Sequence, residues 1–160
     1  MKSSTDLTKV NIRPGVSILS VLRHLNYKPW FALAEFVDNA IQSAISRHKE
    51  LEAVAGKGKY RLRVDIELDT TDSGRLRIAD NAAGINKKDY ARAFRPAEIP
   101  PDQSGLSEFG MGMKSAACWF APRWYVRTSA LGESVERTVV FNIEQIIQDS
   151  LDELQVQSSA

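Results

Sequence analysis

From Tyr60 to Leu68, apolar and charged residues alternate without a fault: Tyr60-Arg61-Leu62-Arg63-Val64-Asp65-Ile66-Glu67-Leu68. A period of two sends successive side chains to opposite faces, so this stretch reads as a half-buried strand. Asp69-Thr70-Thr71-Asp72-Ser73-Gly74 is turn chemistry, and the alternation resumes in Arg75-Leu76-Arg77-Ile78-Ala79. The pattern predicts an antiparallel hairpin over 60–79. Its second face is charged, so helices are expected on one side of the sheet only.

The remaining periodicities supply those helices. Ser17 can cap a short helix carrying Ile18, Val21, Leu22 and Leu25. Pro29 suits the first turn of a main helix near 29–48, in which Leu33, Phe36, Val37, Ala40 and Ala44 form one apolar face. Residues 50–59 read as a connection, and Asn86 can cap a short helix near 87–93. Residues 94–109 hold Pro96, Pro100, Pro101 and Gly105 with little apolar content, the character of a lid or binding loop. A buried helix over 112–121 is closed by Pro122, and strands follow near 123–130 and 134–142. Asn142 with Gln145 resembles a capping box opening a last helix with Ile143, Ile146, Ile147, Leu151 and Leu154. The expected organisation is an arm at 1–16, one α+β domain at 17–142, and a C-terminal helix at 143–160. The architecture is a two-layer sandwich with a mostly antiparallel sheet covered on one face.

Composition excludes several functions. Across 160 residues, 21 basic residues face 20 acidic ones, so bulk charge demands neither nucleic acid nor an anionic membrane. No apolar run approaches a membrane span, and Met1-Lys2-Ser3-Ser4 opens no secretory signal. A single cysteine, Cys118, provides no disulfide framework and suits a reducing, cytoplasmic setting. With just His24 and His48, far apart, a zinc site or a histidine triad is not expected. Trp119, Phe120 and Trp124 read as core residues.

Three clusters carry chemistry. On the main helix Glu35, Asn39, Gln42 and Ser46 share the polar side, and the position four after Glu35 holds an amide where a solvent face would carry a cation. An ordinary amphipathic helix has a polar back too. This one pairs a carboxylate able to take a proton with an oxygen able to bind a hard metal ion. The second cluster, Ile78-Ala79-Asp80-Asn81-Ala82-Ala83-Gly84-Ile85, ends the hairpin. Its acid, between Ile78 and Ile85, could accept from the amino group of a flat heterocycle, although a plain Asp-Asn turn uses the same residues. The third, Phe109-Gly110-Met111-Gly112-Met113-Lys114-Ser115-Ala116, runs into a helix start. Free N–H groups and the helix dipole favour an anion there, which would explain a lysine in the first turn. It is not a P-loop, because Met113 and Glu108 stand where that motif needs glycines.

In this order the clusters resemble the GHKL ATPases, the group of gyrase B, heat-shock chaperones, histidine kinases and MutL, over roughly 18–142. The wording of Ala32–Ala40 and Phe109–Ser115 is most similar to the MORC-type branch. The resemblance implies the Bergerat fold, with ATP held between helices and lid. It implies that Glu35 is the general base for water and that Asn39 binds Mg²⁺. Asp80 would accept the adenine amino group beside Ile85, with Gly84 giving clearance. Gly110, Met111, Gly112, Met113 and Lys114 would surround the phosphates, and Thr138 would join Asp80 around adenine through water.

Two departures qualify the match. Ala82 stands where the group's Asp-x-Gly-x-Gly turn has its first glycine. If that position needs positive φ, alanine costs roughly 1–2 kcal/mol; if it needs clearance, the methyl presses on the nucleotide. The clamp-like members also take a lysine from a following domain, for which this chain has no room, as in an excised module. The implied activity is Mg²⁺-dependent ATP hydrolysis driving a conformational switch, with an ATP-dependent homodimer and further protein or DNA partners reached through other domains. A histidine-kinase catalytic domain and an ATP-binding regulator with little turnover are the alternatives.

Overall fold

A computed structural model describes residues 15–95, 112–151 and 153–159. Helices α1 (Ile18–Leu22), α2 (Pro29–Ser46) and α3 (His48–Ala55) precede the hairpin of β1 (Val64–Asp69) and β2 (Arg75–Asp80). A 3-10 turn at Lys87–Asp89 leads into α4 (Tyr90–Phe94). Then come α5 (Gly112–Phe120), β3 (Arg123–Ser129), β4 (Glu136–Asn142), α6 (Ile143–Gln148) and β5 (Val156–Ser159).

The alternation becomes a ladder as expected. Ile66 faces Ile78, and Leu68 faces Leu76, while Glu67 pairs across the strands with Arg77 at 3.0 Å. The strand opens at Val64, four residues later than the pattern suggests, and the reason is Asn81. Its side chain accepts from Arg63 N at 2.7 Å and donates to Arg61 O at 3.0 Å, filling backbone positions that a ladder would otherwise use. The hairpin turn is fixed by Asp69, which accepts from the amide and hydroxyl of Thr71.

A second antiparallel sheet has the order β3-β4-β5. Val139 and Phe141 are buried on its inner face, where they pack with Leu19, Leu22, Cys118, Ile143 and Ile146. Trp124 stacks on Phe141 at 3.9 Å. Tyr125 and Val140, on the alternate positions, are exposed. Helices therefore cover one face, and the protein is an α+β sandwich with antiparallel ladders. The two sheets meet at their ends, where Leu131 N donates to Ala83 O at 2.8 Å.

Two expectations change. Residues 48–55 form α3 rather than a connection, because Leu51 is buried against Ala44 and Tyr60, and Gly56 at φ +96 ends the helix. The last helix does not run to 160. It stops at Gln148, Ser150 takes a left-handed φ of +49, and Val156–Ser159 pairs with β4 instead. Leu151 and Leu154 still reach the core, from an irregular segment. Asn142 does cap α6 through Gln145 N, and Asn86 accepts from Lys88 N at 2.9 Å. The arm before residue 15 and the proposed lid beyond Arg95 lie outside the described residues.

Candidate nucleotide site

Helix α2 is held closest to its surroundings by its small residues: Ala32, Ala40 and Ala44 are buried, whereas Leu33, Phe36 and Val37 are partly covered. Along its length α2 packs against α5. The consequence is a contact between Glu35 and Gly112. A Cβ built on Gly112 would meet the Glu35 carboxylate, with Cδ at 2.9 Å. The base candidate on α2 and the start of α5 are therefore in one place. Burial, and secondarily the charge of Asp38, raise the pKa of Glu35 above the ordinary carboxylate value. Tyr27, just before α2, has the pKa of its hydroxyl raised by burial and then by the charge of Glu35, while the neighbouring Ser115 side chain opposes the shift.

The Asp80 turn is tied to the same helix. Ser43 Oγ, eight residues after Glu35, accepts from Ala83 N at 3.2 Å. On the other side Thr128 Oγ1 accepts from Ile85 N at 2.8 Å. Asp80 is exposed at the end of β2, and its Oδ1 accepts from Ala82 N at 2.9 Å. Ile85 is half-buried beside it. Ala82 is not among the described residues with positive φ, so the alanine is unstrained. Gly84 does need to be glycine, but for packing. Its φ is +67, and a Cβ would overlap the Ser129 backbone, with the carbonyl carbon at 2.8 Å.

Lys114 follows in the first turn of α5. It is 1% exposed, and Nζ donates to the carbonyl of Arg92 at 2.9 Å, in the last turn of α4. The cation satisfies a carbonyl at the end of a helix. Met113 is half-buried in the first turn of α5. Gly110 and Met111 lie outside the described residues.

Thr138 is not brought to Asp80. It lies in the middle strand of the second sheet, between Arg127 and Gln157, on the same side as exposed Val140. Strand alternation turns it away from the helices, because its neighbour Val139 takes the inward position. The threonine that reaches the turn is Thr128, an inward position of β3 whose parity is shared by Trp124. That alternation was a readable signal for Thr128. Tyr27, in contrast, reads from sequence as part of a helix break.

Among the described residues there is no cluster of three or more His, Cys, Asp and Glu side chains suited to a metal. Mg²⁺ does not require one: it commonly takes one or two protein oxygens, completing its shell with substrate phosphates and water. Asn39, one turn after Glu35, supplies a suitable amide oxygen, so the donor chemistry fits. A shallow apolar groove of about 510 Å³ borders Ile41, Ile45 and Tyr60, and no site residue lines it.

An α+β sandwich with a carboxylate against a helix start and an acid-bearing turn tied to the same helix defines a nucleotide-binding module. The family model described as histidine kinase-, DNA gyrase B-, and HSP90-like ATPase matches residues 27–159, and the chain belongs to that family. ATP binding follows from membership. The match includes β5, where the sequence pattern suggested a helix. A search of curated proteins gives no significant match. No helix among the described residues is long and apolar enough to cross a membrane.

Proposed function

We propose that this chain hydrolyses ATP with Mg²⁺ and uses the cycle as a conformational switch. The observation that carries the reading is the contact of Glu35, a carboxylate of raised basicity, with Gly112 at the start of α5. Hydrolysis needs a base beside the terminal phosphate, and the first N–H groups of a helix are where that phosphate is best held. In this reading Glu35 orients the attacking water and takes its proton. Gly110, Met111, Gly112 and Met113 border the phosphates, and Asp80 accepts the adenine amino group beside Gly84 and Ile85. Asn39 would hold Mg²⁺, which would neutralise phosphate charge. Thr128 replaces Thr138 as the threonine supporting the adenine end.

The MORC-type branch, an ATP-dependent homodimer and a cytoplasmic location belong to the same proposal, supported by the wording of the motifs and the single cysteine. A second reading is a binding module with little turnover, supported by the bond that directs one N–H of Lys114 to Arg92 O. Phosphate release measured with Mg²⁺-ATP separates the two. Glu35→Gln should retain ATP by calorimetry and lose ~10²–10⁴-fold in rate. Release equal to that of the parent chain would remove Glu35 from the chemistry, and release at background in the parent would favour the second reading.

A further inference from the structure

The register of the first hairpin pairs Val64 with Asp80, so continuing the ladder would pair Arg63 with Asn81 and, after one more step, Arg61 with Ala83. Asn81 N does donate to Arg63 O, at 3.2 Å, as that register requires. The return bond differs: Arg63 N donates at 2.7 Å to the side-chain oxygen of Asn81 instead of to its carbonyl. Further on, Arg61 O would accept from Ala83 N, but accepts from Asn81 Nδ2 at 3.0 Å. The side-chain amide stands in for a peptide group, its oxygen for the Asn81 carbonyl and its nitrogen for the Ala83 amide. Both displaced groups find other partners. Asn81 O accepts from the Tyr60 hydroxyl at 3.4 Å, and Ala83 N donates to Ser43 Oγ on α2 at 3.2 Å. Asn81 is exposed, so hydrogen bonds rather than burial fix it.

We propose that Asn81 is a positioning residue for Asp80. Because its side chain completes the ladder, the main chain can leave the sheet directly after the acid. The turn then brings Ala82 N to Asp80 Oδ1 at 2.9 Å and carries Ala83 across to α2. The role needs one acceptor and one donor in a planar amide. A carboxylate cannot donate to Arg61 O, and an apolar side chain serves neither Arg61 nor Arg63. Without the amide the chain would stay in the ladder through Ala83, and Asp80 would lose the turn that orients it. The proposal rests on the reading of Asp80 as the adenine acceptor for its effect on ligands, though not for its effect on the turn.

The test compares two ligands by calorimetry on the full chain: ATP, and the same triphosphate built on unsubstituted purine, which lacks the amino group. Asp80→Asn calibrates, and should weaken ATP while leaving the purine analogue unchanged. Asn81→Leu, close to asparagine in size but without its polar atoms, should weaken ATP roughly tenfold with the analogue unchanged. In an Asp80→Asn background it should add nothing. Asn81→Asp keeps the acceptor, loses the donor and should act in the same direction, so the inference stays testable if one variant fails to fold. Parental ATP affinity in a folded Asn81 variant, or an equal loss for both ligands, overturns it. Amide hydrogen exchange of the nucleotide-free chain is the second arm. Protection of Ala82, corrected for its intrinsic rate, should fall about tenfold or more in Asn81→Leu while amides of the β3–β4 hairpin keep theirs. If Asp80→Asn leaves the preference for ATP over the analogue intact, the adenine assignment fails. The Ala82 amide then still decides what Asn81 does, and unchanged protection there overturns the positioning role.

Discussion

Gly112 and Glu35 are packed so closely that a methyl group on the first would displace the carboxylate of the second. The obstacle is the far end of a flexible side chain rather than backbone. Gly112→Ala should therefore rotate the carboxylate away and leave the fold intact. The expected result is a urea midpoint close to the parent's and slower phosphate release. Parental release rates in a folded Gly112→Ala chain would show that the contact is dispensable.

Glu35 also makes stability depend on pH. Its folded pKa is raised, so between the ordinary value of 4.5 and the raised value the folded chain binds more protons than the unfolded one. Its contribution to stability then falls as pH rises through that window, and the cost is fully present above it. Glu35→Gln should be more stable than the parent at neutral pH, and the difference should vanish below the ordinary carboxylate pKa. Thermal melts at matched pH values test the sign. In the proposed mechanism hydrolysis is lost as pH falls through the same raised pKa, because a protonated base cannot accept a proton.

The turn after Asp80 separates two small residues that look alike in sequence. Gly84→Ala forces a left-handed φ, at roughly 1–2 kcal/mol, and also drives a methyl into the Ser129 backbone. A loss above ~2 kcal/mol by urea titration is expected. Ala82→Gly relieves no strain and should destabilise by about 0.4–1 kcal/mol through chain entropy. A stabilised Ala82→Gly chain would contradict the backbone found here. Asp80→Asn should weaken ATP binding by calorimetry, since the acceptor loses charge.

Lys114→Met tests the buried ammonium. Removing it leaves the Arg92 carbonyl without this donor, and the expected loss is about 1–3 kcal/mol in urea unfolding. A chain of parental stability would mean that the bond to α4 contributes nothing.

The sequence made the hairpin, the main helix and the second pair of strands legible because their periods are unambiguous over six or more residues. It concealed α3, where charged Lys49, Glu50 and Glu52 mask a helix anchored chiefly by Leu51. It suggested helix beyond Gln148 because Leu151 and Leu154 keep helical spacing, although they reach the core from an irregular segment. In the site, Glu35 and Asp80 stood out as acids in unusual settings. The roles of the glycines and of Lys114 did not, because they depend on what lies across the fold: Ser129 behind Gly84, Glu35 behind Gly112, and Arg92 beneath Lys114.

The hydrogen bond from Ala83 N to Ser43 gives α2 a metric role. Eight residues separate Ser43 from Glu35, about 12 Å of helix, a length comparable with an extended nucleoside triphosphate. In the proposed reading one rigid rod gauges both ends of the ligand, touching the adenine turn at one mark and the terminal phosphate at the other. Inserting a single residue between those marks would turn one against the other by about 100°. The chain could then grip a base or attack a phosphate, but not both on the same molecule.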